Sequence, residues 1–214
     1  MTKLNKPLIK STSSDSAHEL HLQHDLGIYM GKILDIMWRS RKKEVWTGWR
    51  VDRSTKDTAD RWAKAFMSFH QHIDPTIFDS IFDAESNDLI VQAPIPFVGM
   101  CEHHLLPMTG KAAFGYVPDN KVLGLSKISR LVMGVGKEKP SLQERYSKRI
   151  VSLFQEKINP KGCALVLKLE HGCMACRGVN QPGIMTTVSD MVGLFLHVPS
   201  LREEFLSLVS GDLK

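Results

Sequence analysis

The stretch Cys101-Glu102-His103-His104-Leu105-Leu106-Pro107 places a thiol, a carboxyl and two imidazoles in four consecutive residues, followed by two leucines and a proline. A second stretch later in the chain, His171-Gly172-Cys173-Met174-Ala175-Cys176-Arg177, has a similar composition. Three of the four cysteines and three of the nine histidines fall in these two windows. Thiolate and imidazole are ligands that zinc prefers, so the sequence predicts a zinc site where the two windows meet, with ionisable groups left over for chemistry.

Two zinc sites are compatible with these residues. Cys101 and His104 can combine with both Cys173 and Cys176 in a closed structural site, or with Cys173 alone in a site that leaves a position for water. If residues 171–177 continue the preceding strand, His171 and Cys173 share one face and Cys176 points to the other. The strand geometry therefore favours the open, catalytic site with three protein ligands.

Strand patterns flank both windows. Residues 89–98 run directly into Cys101, and their prolines indicate an edge strand or a bulge. The order of elements after residue 88 is strand, strand, helix, helix, strand, strand, with a short closing helix: 89–98, 111–117, a helix near Ser126, a helix from Ser141, 163–170, 184–195 and 200–209. This order predicts an α+β fold with a mostly antiparallel sheet packed on two helices.

The N-terminal part has a different composition. Residues 1–17 are rich in lysine, serine and threonine, which predicts a disordered basic tail. Residues 18–86 are predicted to form an N-terminal helical region, with helices over 24–38 and from Asp57 or Thr58, and residues 87–214 the catalytic domain. Arg61 and Lys64 lie three residues apart on the second helix, so both cations can address one anion.

Composition narrows the class of protein. The chain has 214 residues, of which 43% are hydrophobic, enough for one substantial core. It has no apolar run long enough to span a membrane and no apolar signal core at its start, and four cysteines suit reduced thiols or metal ligands, so we expect a cytoplasmic protein. The net charge of +5 fits either nucleic acid or a small polyphosphate substrate.

Several separated motifs resemble one known family when taken in order. They are Cys101-Glu102-His103-His104, Gly124-Leu125-Ser126-Lys127-Ile128, Gln143-Glu144-Arg145, His171-Gly172-Cys173 and Arg177-Gly178. Together they resemble GTP cyclohydrolase I, the zinc enzyme that converts GTP and water to 7,8-dihydroneopterin triphosphate and formate at the start of pterin- and folate-type biosynthesis. The resemblance covers roughly residues 55–210 and implies the tunnelling fold, a homodecamer of two face-to-face pentamers, and active sites where subunits meet.

The resemblance also implies roles for individual residues. Cys101, His104 and Cys173 bind zinc, and Cys176 is not a ligand. Water activated at the zinc attacks C8 of guanine while His103 protonates the purine. His171, with Ser126, assists the rearrangement of the ribose after formate has left.

Substrate recognition has a physical logic of its own. Glu144 can accept two hydrogen bonds from guanine N1 and the 2-amino group, a donor pair that adenine lacks, and Gln143 can add a contact to the base or ribose. The triphosphate requires clustered cations, and the resemblance assigns this role to five residues: Arg61, Lys64, Lys127, Arg130 and Arg177.

Two other functions remain compatible with the sequence. One is a related tunnelling-fold enzyme that acts on another pterin or deazapurine, which substrate profiling would identify. The other is a nucleic-acid-binding module with a structural zinc, which predicts salt-sensitive binding that does not depend on Glu144.

Overall fold

The computed structural model describes residues 13–39 and 57–213, with the side chains of the first segment described from 18 to 34. The predicted tail, residues 1–17, lies outside this range except for residues 13–17, which are helical. The described chain forms two compact units that divide between Ser68 and Phe69. Residues 69–86, which the sequence grouped with the helical region, thus belong to the same unit as the sheet. No helix among the described residues is both long and apolar enough to cross a membrane.

The N-terminal unit contains two helices, α1 (Ser13–Arg39) and α2 (Thr58–Met67), which confirms both predicted helices, the first with a longer extent. They pack closely, since a Cβ on Gly27 would lie 2.9 Å from Asp60 Oδ1. Ala63 is fully buried, and Trp62 stacks on the ring of Phe66 at 5.0 Å. Asp57 occupies the predicted cap position of α2, but its side chain makes no capping hydrogen bond.

The second unit is built on a four-stranded antiparallel sheet in the order β2-β3-β5-β6. Its strands are β2 (Ile90–Met100), β3 (Pro107–Val117), β5 (Gly162–His171) and β6 (Met185–Gly193). β2 is an edge strand with an irregular register between Gln92 and Ile95, where the Ala93–Pro94 peptide is cis. The proline pattern therefore predicted the edge and the irregularity correctly.

Two helices cover one face of this sheet, α3 (Leu125–Glu138) and α4 (Gln143–Ile158). Both carry buried apolar residues three or four apart, as the periodicity predicts. The ring of Phe154 on α4 packs against the rings of Phe114 and Tyr116 on β3, at 4.7 and 4.8 Å. The predicted order of strand, strand, helix, helix, strand, strand and the α+β class are confirmed.

Side chains of the opposite face of the sheet form a second cluster with the C-terminal segment. Leu165 and Leu167 face the α3–α4 side, whereas Ala164 and Val166 face the second cluster, because successive strand residues alternate. Two helices contribute to this cluster, α6 (Leu194–His197) and α7 (Pro199–Val209).

The C-terminal end of the last strand differs from the prediction. Residues 184–195 were predicted as one strand, but β6 ends at Gly193 and α6 follows. Gly193 has a φ of +62°, a conformation that favours glycine, and the amide of Leu194 donates to Lys161 O at 3.0 Å. An apolar run gives no sign of this turn, since it is equally compatible with a strand.

Three further short elements had no clear pattern in the sequence. They are a 3₁₀ turn (Pro75–Asp79) and the strands β1 (Ile81–Asp83) and β4 (Lys121–Leu123), which form a separate two-stranded sheet.

The sheet register brings the two sequence windows together. Met100 at the end of β2 pairs with Pro107 at the start of β3, so Cys101 to Leu106 form the connecting loop. Met108 on β3 pairs with His171 at the end of β5. The loop and the residues after β5 therefore lie at the same end of these strands.

Candidate metal centre and its surroundings

Cys101, His104 and Cys173 form a group of three potential metal ligands. Their ligand atoms all lie within 4.8 Å of one another. Cys101 Sγ is 3.8 Å from His104 Nδ1. Both sequence windows thus contribute to one site, as the clustering of thiols and imidazoles predicts.

The loop after β2 presents two of these ligands through a tight turn. The amide of Leu105 donates to Cys101 O at 2.9 Å, and the amide of Cys101 donates to Leu106 O at 2.9 Å. Leu105 has a φ of 52°, in the left-handed region that non-glycine residues rarely adopt. These contacts bring His104 back beside Cys101.

Cys173 reaches the group by a different route from the one predicted. The strand ends at His171, and residues Gly172–Ala175 form a single helical turn, α5. The prediction that residues 171–177 continue the strand is therefore wrong. Gly172 permits the turn to pass close to β3, since a Cβ there would lie 2.8 Å from Pro107 O.

Cys176 does not belong to the group of potential ligands among the described residues. Its Sγ donates to Gly172 O at 2.8 Å, and the residue is exposed. The sequence separated Cys176 from the other three residues on the assumption of a continuous strand, which the structure does not contain. The helical turn separates them because the thiol of Cys176 bonds back along its own backbone.

The chemistry of the three donors fits zinc. Two donors in a tetrahedral zinc site with bonds of about 2.0–2.3 Å lie about 3.3–3.8 Å apart, close to the Cys101–His104 separation. Burial and the neighbouring Cys101 both raise the pKa of the Cys173 thiol. A divalent cation between the two sulfurs would reverse this effect, because it stabilises both thiolates. Three protein donors would leave one tetrahedral position for water.

Arg145 holds the carboxylate next to the metal ligands. Its Nη1 donates to Glu102 Oε1 at 3.0 Å and to Oε2 at 2.9 Å. Glu102 Oε1 is also 3.9 Å from Nε2 of His103, whose side chain is largely exposed. Sequence reasoning used Arg145 as part of a motif but gave it no role. Its contact with Glu102 links the start of α4 to the metal-site loop.

His171 is fixed by a buried amide. Its Nε2 lies 2.7 Å from Gln143 Oε1. Burial lowers the pKa of the His171 imidazole, and the nearby Glu144 carboxylate partly opposes this effect. Glu144 is exposed in the first turn of α4, and its charge acts on the imidazole of His171, so the predicted purine-reading carboxylate lies close enough to the predicted proton-transfer histidine to affect it.

Tyr146 forms a hydrogen bond with the last residue of β2, next to Cys101. Its hydroxyl lies 2.6 Å from Lys139 O, to which it donates, and accepts from the amide of Met100 at 3.2 Å. The amide of Ser141 also donates to Met100 O at 2.9 Å. Burial raises the pKa of the Tyr146 phenol. The sequence indicated Tyr146 as an apolar helix position and gave no sign of this second role.

The predicted cations of the sheet unit lie on two segments. Lys127 and Arg130 are on α3, and both act on the exposed Asp74 carboxylate, whose pKa is lowered first by its hydrogen bonds to Thr76 and then by these cations. Lys127 Nζ donates to Thr76 O at 3.0 Å. Arg177 follows α5 and is exposed, and its charge opposes a small part of the rise in the Cys173 pKa that burial and Cys101 cause. Arg177 therefore acts electrostatically on one of the three potential metal ligands.

Three other predicted site residues lie on helices that do not carry Cys101, His104 or Cys173. Ser126 is exposed in the first turn of α3. Arg61 and Lys64 are on α2, in the N-terminal unit, where Arg61 pairs with Asp57 at 3.7 Å. Their roles stay predictions.

Comparison with known proteins gives a consistent result. The family model described as GTP cyclohydrolase I matches residues 47–210. A GTP cyclohydrolase 1 of Methylococcus capsulatus is 41% identical over 157 residues, which cover 72% of this chain and 84% of that protein. A GTP cyclohydrolase 1 of Drosophila melanogaster is 34% identical over 222 residues, which cover 98% of this chain and 68% of that protein. The similarity to the fly protein thus extends into the N-terminal unit.

Proposed function

Because the chain belongs to the GTP cyclohydrolase I family, we propose that it is a zinc-dependent hydrolase that converts GTP and water to 7,8-dihydroneopterin triphosphate and formate. The α+β architecture, with its antiparallel sheet and two covering helices, is consistent with the tunnelling fold of that family. The reaction opens pterin- and folate-type biosynthesis.

One observation carries the proposal. Two thiols and an imidazole, those of Cys101, Cys173 and His104, lie within metal-binding distance of one another. A zinc ion held by them would supply Lewis-acid activation of water at neutral pH. His103 adjoins this group in the loop, and His171 precedes Cys173 by two residues.

The surrounding residues would bind GTP and transfer protons. His103, which is exposed beside Glu102, would protonate the purine, and His171 with Ser126 would assist the ribose rearrangement. Glu144 would accept from guanine N1 and the 2-amino group, whereas Gln143, predicted at the base or ribose, would act through His171, to which its buried amide is hydrogen-bonded. The triphosphate would be bound by the cationic side chains predicted from the sequence, namely Arg61, Lys64, Lys127, Arg130 and Arg177.

The family also supports a proposal for the assembly. We propose a homodecamer of two face-to-face pentamers with sites between subunits, which light scattering can measure as ten copies of the 24.1 kDa chain. All four cysteines are unpaired, which supports a reducing compartment and hence the cytoplasm.

Formate release from GTP tests the function directly. Zinc-loaded protein should release formate and give a fluorescent pterin after oxidation, and ATP should give neither, because adenine lacks the donor pair that Glu144 would read. Absence of both products with GTP would defeat the proposal. Turnover of a different purine or pterin would instead identify the related enzyme.

Zinc content tests the ligand set separately. We expect one zinc per chain in the native protein, retention in His171→Ala and loss in Cys173→Ala. Cys176→Ala is the matched control, since the Cys176 thiol is not part of the group among the described residues and should not affect metal content. Zinc loss in Cys176→Ala would instead favour the closed site with four ligands.

A further inference from the structure

Both polar atoms of the Gln143 side chain make hydrogen bonds within the chain. Gln143 is the first residue of α4 and is 2% exposed. Its Nε2 lies 2.8 Å from Leu167 O on β5 and 3.0 Å from Thr186 O on β6. Its Oε1 lies 2.7 Å from His171 Nε2. One amide therefore ties the start of α4 to both neighbouring strands and to the imidazole.

These contacts fix the orientation of the amide. An amide nitrogen carries two hydrogens, and here two carbonyl oxygens accept them. If the amide were flipped, its oxygen would face the carbonyl oxygens of Leu167 and Thr186 with no hydrogen between them. The amide oxygen must therefore face His171.

The orientation of the amide decides which nitrogen of the imidazole carries hydrogen. Gln143 Oε1 has no hydrogen to give, so the short contact requires one on His171 Nε2. In a neutral imidazole the other nitrogen, Nδ1, then holds the lone pair. We infer that Gln143 is a positioning residue that holds His171 as the Nε2–H tautomer, so that Nδ1 exchanges a proton with the substrate. The second half of this inference rests on the proposed function, whereas the tautomer does not.

The proton balance of this arrangement is simple. Nδ1 accepts a proton from a substrate O–H or C–H group and the ring becomes an imidazolium, with both nitrogens as donors. Gln143 Oε1 accepts from Nε2–H in both charge states, so its hydrogen bond survives the transfer. Nδ1 then returns the proton to the substrate. This role differs from the direct contact between Gln143 and the substrate that the sequence suggested.

Nitrogen NMR of the histidine rings tests the tautomer without turnover. The full-length, zinc-loaded protein is labelled with ¹⁵N in its histidine rings and measured at pH 8.5 by magic-angle-spinning NMR, which has no limit on assembly size. An imidazole with a pKa near ~6.5 or below is neutral at this pH. The signal that disappears in His171→Phe belongs to His171. We expect it to show a protonated Nε2 and an unprotonated Nδ1, and a protonated Nδ1 or a mixture of tautomers would overturn the inference.

A matched pair of glutamine variants tests the positioning role. In Gln143→Leu we expect a mixture of His171 tautomers and a fall of about 10- to 100-fold in kcat for formate release, with a smaller change in KM, since the proton acceptor is misplaced in part of the population. Gln155→Leu makes the same change on the same helix, where the amide faces Pro160 O at 3.5 Å, and should change neither quantity.

One outcome for this variant would contradict the positioning role of Gln143. If Gln143→Leu retains the Nε2–H tautomer and changes mainly KM, Gln143 acts by contacting the substrate. If the native protein releases no formate from GTP, the proposed function fails while the NMR result still decides the tautomer.

Discussion

Arg145 Nη1 donates to both carboxylate oxygens of Glu102, at 3.0 and 2.9 Å, and so connects the first turn of α4 to the loop that contains Cys101 and His104. The same helix carries a second arginine–carboxylate pair, in which Arg149 Nε and Nη2 donate to Oε2 and Oε1 of Glu138 at 3.2 and 3.0 Å. Both pairs join an arginine of α4 to a glutamate and are partly exposed. Only Glu102 is adjacent in sequence to a potential metal ligand, Cys101. The two pairs provide a controlled comparison.

Replacing Arg145 should reduce activity more than stability. In Arg145→Lys the carboxylate of Glu102 loses the planar guanidinium whose Nη1 contacts both of its oxygens, so His103 and the loop are less well oriented. We expect kcat to fall by roughly 3- to 30-fold, a part of the 10²–10⁴-fold that proton transfer contributes. The free energy of unfolding should change by about 0.2–1 kcal/mol, as is usual for exposed ion pairs. Arg149→Lys should match the stability change and keep the activity. Equal losses of activity in the two variants would contradict this account.

Removing the Tyr146 hydroxyl should weaken zinc binding. Tyr146→Phe leaves Lys139 O and the Met100 amide without their partner, which should cost about 1–3 kcal/mol in the free energy of unfolding. Because Met100 precedes the ligand Cys101, we also expect zinc affinity to fall by roughly tenfold, as for loss of a supporting contact at a metal site. Urea unfolding and competition with a chelator measure the two effects.

Tyr116→Phe is the control for this prediction. Its hydroxyl is also buried and accepts from the amide of Leu123 at 3.2 Å, in the small β1–β4 sheet. We expect comparable destabilisation and unchanged zinc affinity. Weaker zinc binding in both variants would indicate a general loss of stability.

The cysteines should differ sharply in reactivity. Burial raises the pKa of Cys163 to about 12, so its thiol stays protonated and unreactive at pH 8, whereas Cys176 is exposed. Brief treatment of the zinc-loaded protein with iodoacetamide should alkylate Cys176 and spare Cys163, as mass spectrometry can show. In urea both should react, because unfolding returns the Cys163 pKa to its ordinary value. Fast modification of Cys163 in the native protein would show that the strand is not buried as described.

Zinc removal should abolish activity but preserve the fold. One hydrophobic cluster of the sheet unit contains Cys101, with Cys173 packed against it, but both clusters consist mainly of other strand and helix side chains. A chelator should therefore remove formate release while the far-ultraviolet circular dichroism is retained, and added zinc should restore activity. Global unfolding on chelation would assign the metal a structural role instead.

Much of this protein follows from its sequence alone. The order of strands and helices after residue 88 could be predicted because side-chain periodicity is a local property, and the edge position of β2 followed from its prolines. The group of Cys101, His104 and Cys173 followed from ligand chemistry and from the resemblance to a family.

Contacts between distant segments were decided by the tertiary structure. The helical turn after His171, the Arg145–Glu102 pair and the Gln143–His171 hydrogen bond each depend on how α4 lies against the ends of the strands. A sequence pattern records which face of a helix is buried, but it does not record which polar atom of another segment will meet that helix. For that reason the three clustered residues could be named in advance as potential ligands, whereas the polar contacts around them could not.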